Sequence, residues 1–254
     1  MATVQEVNEL KEKIALSCRI LGHRGVTRGS FGHVSARYPG ESDKLLIKSK
    51  GPDEAALEFA TARDIITIDV EGTLLDAPEG LQPPNETSIH LAVYRKRPGV
   101  RSVIHAHPDW VVLLTAVELP LLPIYGNYDP SGLNMALEGV PLYPRSGGIT
   151  NDRLGDTMMS YMGEKDVCML RGHGITAAGR SVEQSTSNAM ALNELARMNY
   201  LAYAIGQPKP IPQEDIDEAR ARRESGEPRA RPGNVVYDRY APAWRYYRQL
   251  LGEI

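Results

Sequence analysis

The sequence predicts an α/β fold on two observations. Segments with apolar residues every three or four positions alternate with short β-favouring runs, and Gly, Pro, Asn or Asp punctuates the junctions. At 254 residues, with 42% hydrophobic and 24% charged content, the chain is also long enough to bury a substantial core beneath such layers.

The elements follow in order. Val4, Val7, Leu10, Ile14, Cys18 and Leu21 trace one face of an amphipathic helix that ends near Gly22 or Gly25. "GSFGHVSARYP", "KLLIKSKGP" and "DIITIDVEGTLL" read as strands joined by tight turns. Residues 85–94 return to helix, with Asn85 as its cap after two prolines. "GVRSVIHAH" is a further strand, "PDWVVLLTAV" a helix, and "GVPLYP" and "DVCMLRGHG" strands. "SVEQSTSNAMALNELARMNYLAYAIG" predicts a long helix with Ala189, Leu192, Ala196 and Tyr200 on its apolar face. These elements define a main domain over residues 1–206.

From residue 207 to 254 the composition changes. The stretch from Gln207 is proline-rich and charged with no apolar stripe, which predicts an exposed arm or a short polar helix. It closes on "YAPAWRYYRQLL", aromatic enough to pack on the domain or on a neighbouring subunit.

Composition excludes several classes of partner. A net charge of −3 and a pI near 6.1 give no global basic field for nucleic acid or anionic lipid. The short basic run "ARARRESGEPRARP" is interrupted by acids. The apolar run "WVVLLTAV" falls far short of the roughly 20 residues of a membrane-spanning helix. Charges punctuate the N-terminal segment where a signal peptide needs an unbroken apolar stretch, so it reads as mature protein. Cys18 and Cys168 sit in apolar-patterned segments as reduced, packed thiols, and a cytoplasmic location is expected.

The chemistry begins at "RSVIHAHPDW". Alternation along a strand turns His105 and His107 to one side and Ala106 to the other, a geometry that suits a metal ion. A catalytic first-row metal usually takes three protein ligands and keeps one position open. His173 in "LRGHGI" is the third candidate, because flanking glycines permit a sharp bend. Glu86, at the start of the helix before the His-X-His strand, is placed to ligate the same ion or to act as acid or base. His90 shares its helix face, as a support for the site or as a buried side chain. Each of these has an ordinary structural explanation on its own, yet together they draw on four of only six histidines in the chain.

"GSFGHVSAR", "NETSIHLAVYRKRPGVRSVIHAHP" and "MLRGHGITAAGRSVEQ" resemble, in order and at similar separations, three signature blocks of the class II aldolase/adducin family. The likeness runs over about residues 14–203. It implies a three-layer α/β/α fold around a central, mostly antiparallel sheet, and a homotetramer with active sites at subunit boundaries. It further implies that His105, His107 and His173 hold one divalent ion per subunit, often zinc, with iron, cobalt or manganese as alternatives, and that Glu86 is the acid/base carboxylate. Adducin-like members that serve as non-catalytic interaction modules have lost these ligands, and this chain keeps them.

Family members that act on sugar phosphates tend to hold the phosphate with a Gly-Asn pair, a Ser-Pro-Ser-Gly-like turn and two serines before the glutamate. This chain has His33 in place of that asparagine, "SKGPD" at the turn, and Pro84 and Asn85 before Glu86. The first block resembles the decarboxylase branch, whose substrates are hydroxylated aromatic acids such as 3,4-dihydroxyphthalate. On that reading His33 joins Glu86 as a catalytic residue, and Arg28, Ser30, Lys50 and Asn85 bind substrate carboxylates. Tyr125 and Tyr128 in "IYGNYDPSG" match only loosely the place of a tyrosine that reaches a neighbouring site. An aldolase or epimerase of a sugar phosphate is the alternative activity.

Overall fold

In the computed structural model, which describes residues 2–225 and 240–253, Thr3 opens the first helix through a reciprocal cap. Its Oγ1 accepts from the Glu6 amide at 3.2 Å while Glu6 Oε2 accepts from the Thr3 amide at 2.8 Å. Helix α1 (Val4–His23) then buries Ile14, Cys18 and Leu21. Strands β1 (His33–Arg37), β2 (Lys44–Lys48), β3 (Ile65–Asp69) and β4 (Leu74–Asp76) follow as a meander. Next come α2 (Thr87–Lys96), β5 (Ser102–Ala106), α3 (Asp109–Ala116), α4 (Pro130–Glu138), β6 (Leu142–Tyr143) and α5 (Asp152–Met162). The chain continues through β7 (Val167–Leu170), β8 (Gly174–Gly179), α6 (Val182–Ile205), α7 (Gln213–Glu224) and α8 (Ala241–Leu250).

The strands form one eight-stranded sheet in the order β4-β3-β2-β1-β5-β8-β7-β6. Every neighbouring pair is antiparallel except β6 and β7. Alternation splits its side chains between two cores. Val34, Leu46, Ile104 and Ile175 meet α1, α3 and α6 on one face, and Leu45, Ile47, Val103 and Cys168 meet α2 and α5 on the other. The result is the three-layer α/β/α architecture expected from the sequence.

Helix α2 starts at Thr87, two residues later than expected, and Asn85 does not cap it. Glu86 holds the cap position without capping, because its carboxylate turns into the sheet; Thr87 Oγ1 instead donates to the Pro84 carbonyl at 2.6 Å. Helices α4 and α5 and strand β8 are additions to the expected elements. Helix α7 is the polar helix anticipated in the arm, with Ile216 its buried apolar residue. On α8, Trp244 packs against the α1/α6 core, and Glu253 beyond it pairs with Arg19 at 2.7 Å. Part of the basic run over residues 219–232 lies outside the described residues.

Two glycines let backbones close on β5 where the histidines emerge. A Cβ on Gly174 would stand 2.2 Å from the Ala106 carbonyl oxygen, and one on Gly32, at φ +89°, 2.8 Å from that of His105. Gly174→Ala is therefore expected to lower stability by about 1–3 kcal/mol through strand separation. Denaturant unfolding measures this, and an unchanged midpoint would mean that β5 and β8 part without cost.

Candidate metal centre

Strand β5 lies at the middle of the sheet, with β1 on one side and β8 on the other. It ends at Ala106, and His107 follows in the next position with its ring still beside that of His105, centroids 4.7 Å apart. A tight turn after β7, closed by the His173 amide donating to the Leu170 carbonyl at 3.1 Å, delivers the third ring. Gly172 takes φ +59° in that turn, a conformation that glycine adopts without strain. The His173 ring stands 5.0 Å from both of the others. Glu86 comes from the opposite side, at the start of α2.

One donor atom from each of Glu86, His105, His107 and His173 lies within 4.8 Å of all the others. Glu86 Oε2 is 3.3 Å from Nε2 of His105 and 3.3 Å from Nε2 of His173. Its Oε1 accepts the Ile149 amide at 2.7 Å, which aims the carboxylate. Burial pushes the Glu86 carboxyl up, but the His105 and His173 rings and the Ile149 amide outweigh it and hold the group well below the usual carboxylate range. Burial, reinforced by the neighbouring rings, pushes the His107 imidazole down to about 3, so it is neutral.

This donor set fits a divalent cation. His105 Nδ1 faces the Ile175 carbonyl at 2.9 Å, which places a proton on Nδ1 and turns Nε2 toward the focus. That nitrogen lies 2.9 Å from His107 Nε2 and 3.3 Å from Glu86 Oε2. Nitrogens that share an ion at about 2.0–2.1 Å stand roughly 3 Å apart. A cation placed among them would meet three imidazole nitrogens and one carboxylate oxygen.

The other residues proposed from the sequence surround this focus to different degrees. His33 pairs directly with His105 across β1 and β5, ring centroids 5.2 Å apart. His90 is fully buried behind it, its Nε2 2.7 Å from His33 Nδ1. Lys50 Nζ donates to Asn85 Oδ1 beside Glu86. Arg28 is exposed and pairs at 3.3 Å with Asp109, two residues past His107. Ser30 is exposed in the loop before β1 and makes no side-chain hydrogen bond among the described residues. Tyr125 is buried against Gly132, and Tyr128, 63% exposed, donates to Glu194 of α6 at 3.0 Å.

Sequence reasoning missed three contributors. Phe31 stacks on His107 at 5.6 Å, the Ile149 amide orients Glu86, and the Tyr94 hydroxyl reaches Ser35 behind His90. Phe31 was detectable as an apolar residue inside a polar turn next to His33. The Ile149 contact is made by backbone and leaves no trace in residue type.

The chain is 40% identical over 212 residues to the 3,4-dihydroxyphthalate decarboxylase of Arthrobacter keyseri, covering 82% of this chain and 85% of that one. It is 38% identical over 210 residues to the protein of the same name from Terrabacter sp. (strain DBF63), covering 81% and 87%. Among solved structures, an aldolase II superfamily protein from Pseudomonas syringae superposes with a TM-score of 0.81 at 24% identity, over 98% of this chain and 94% of that one. The L-fuculose 1-phosphate aldolase from Glaciozyma antarctica PI12 does so with a TM-score of 0.77 at 22% identity, over 100% and 94%. These two likenesses concern the fold alone. The family model for the class II aldolase and adducin N-terminal domain matches residues 12–200, and the chain belongs to that family.

Proposed function

We propose that the protein is a cytoplasmic, metal-dependent decarboxylase of a catechol-type aromatic carboxylic acid, with 3,4-dihydroxyphthalate the first candidate substrate. The observation that carries this reading is the common focus of Glu86, His105, His107 and His173. His33 and the Lys50–Asn85 pair beside that focus, in place of phosphate-binding serines, favour a carboxylate. The names of the two similar decarboxylases support the same substrate class.

On this reading His105, His107 and His173 hold one divalent transition metal ion, zinc first, with iron, cobalt or manganese as alternatives. When bound, the ion supplies positive charge at the substrate oxygen onto which electrons move as a carbon–carbon bond parts. Glu86 takes the proton of a ring hydroxyl at Oε2, the oxygen not committed to the Ile149 amide. The same carboxyl then hands that proton to the ring carbon bearing the departing carboxylate. The bond to the carboxylate breaks, carbon dioxide leaves, and the bonding pair restores the aromatic ring and its phenolate. His33, Arg28, Ser30, Lys50 and Asn85 orient the substrate carboxylates. A homotetramer with active sites at subunit boundaries belongs to the same proposal. Phe31, Phe59, Leu113 and Val117 are 62%, 68%, 44% and 64% exposed, apolar surface that a neighbouring subunit would cover, and analytical ultracentrifugation tests it.

A carbon dioxide release screen over ortho- and para-hydroxylated aromatic mono- and dicarboxylates decides the activity, with metal supplied and then chelated. Release from a catechol acid, lost on chelation, is the expected result. Cleavage of phosphorylated ketoses without any carbon dioxide would replace this reading with an aldolase.

A further inference from the structure

Behind the metal centre runs a buried line of polar groups that the chemistry above does not use. The Tyr94 hydroxyl lies 2.8 Å from Ser35 Oγ, Ser35 Oγ 2.6 Å from His90 Nδ1, and His90 Nε2 2.7 Å from His33 Nδ1. Ser35, His90 and Tyr94 are all within 3% of full burial. Arg37 anchors the far end, with its guanidinium 4.7 Å from the Tyr94 ring centre and a 2.7 Å bond to the Tyr94 carbonyl.

The direction of the protons follows from counting donors. A buried phenol must donate its proton, and Ser35 Oγ is the partner that the Tyr94 hydroxyl reaches among the described residues. Ser35 accepts there and must donate elsewhere. Its choices are His90 Nδ1 at 2.6 Å and the Val103 carbonyl at 3.5 Å, and the shorter contact wins. His90 Nδ1 is thus an acceptor, the single proton of neutral His90 sits on Nε2, and that proton goes to His33 Nδ1. The same count leaves each ring a single proton, since Nδ1 of His90 and Nδ1 of His33 both accept. Among the described residues His33 Nε2 bonds to no protein atom, and His33 is 7% exposed.

We propose that Tyr94, Ser35 and His90 act as positioning residues that fix His33 in the tautomer protonated on Nε2. His33 then meets substrate as an uncharged hydrogen-bond donor, matched to a carboxylate oxygen. With a proton on that nitrogen it also cannot join its neighbour His105 as a fourth imidazole ligand. The tautomer itself is independent of which reaction is catalysed, although its use on a carboxylate rests on the decarboxylase reading.

The test is nitrogen-15 NMR of histidine-labelled, metal-loaded full-length protein without substrate, with His33 assigned by its loss in His33→Asn. The wild type is expected to show a protonated Nε2 and a bare Nδ1 at His33. His90→Gln keeps an N–H at the Nε2 position and should preserve that state, with kcat within about tenfold of wild type. His90→Leu and Ser35→Ala should release it, lowering kcat about 10- to 100-fold for whichever substrate the release screen identifies. A bare Nε2 at His33 in the wild type would overturn the proposal, as would an unchanged tautomer in both His90→Leu and Ser35→Ala. Failure of the carbon dioxide screen with the Nε2 tautomer intact would overturn the decarboxylase reading alone.

Discussion

Replacing His107 with alanine is expected to abolish turnover while leaving the chain folded. Alanine keeps the backbone, and the ring it removes lies beyond the end of β5 and is only partly buried. Its Nε2 nevertheless sits 2.9 Å from that of His105 at the focus of the site. An ion held by two imidazoles in place of three binds more weakly and leaves more easily. Metal-assisted charge stabilisation amounts to several kcal/mol, and each 1.36 kcal/mol is tenfold in rate, so kcat should fall by about 10³-fold or more. Metal analysis of the purified variant beside its carbon dioxide release measures both effects. A variant with full metal content and wild-type turnover would remove His107 from the site.

Glu86→Gln should separate binding of the ion from catalysis. The amide oxygen can still accept from the Ile149 amide, so the side chain keeps its aim, and the three histidines are untouched. What is lost is a group able to take and return a proton, a step that typically contributes 10²–10⁴-fold. Turnover should drop by about that factor with metal content retained and KM changed much less. Single-turnover carbon dioxide release is the measurement, and undiminished release would exclude Glu86 from the proton transfers.

The parts of this site that were legible in the sequence are those fixed by local geometry. Strand alternation predicts His105 and His107 on one side, and the two rings do lie together although β5 ends at Ala106; glycines on both sides of His173 mark a tight turn. The parts that were not legible depend on contacts between distant segments. Asn85 has the residue type of a cap, but the helix yields that position to Glu86 because the carboxylate is drawn toward the histidines and Ile149. Strand β8, "GITAAG", is rich in glycine and alanine, poor β-formers in isolation, and is held between β5 and β7 by close approach. Helix α5 carries Gly155 mid-helix, which weakens its signal; the reason lies on α2, where a Cβ would stand 2.8 Å from the Ser88 carbonyl oxygen. Ser35 carries no signal in its residue type, and only the pairing of β1 with β5 beneath α2 brings it to His90 and Tyr94.

The account stands on a cation held by three imidazoles that takes up negative charge as a carbon–carbon bond breaks. X-ray absorption spectroscopy on protein titrated with metal, with carbon dioxide release followed on the same samples, tests this most directly. Nitrogen scattering from histidine in the first shell, with turnover rising in proportion to occupancy up to one ion per subunit, is the predicted result. Full turnover in samples carrying less than about a tenth of an equivalent of metal would contradict it.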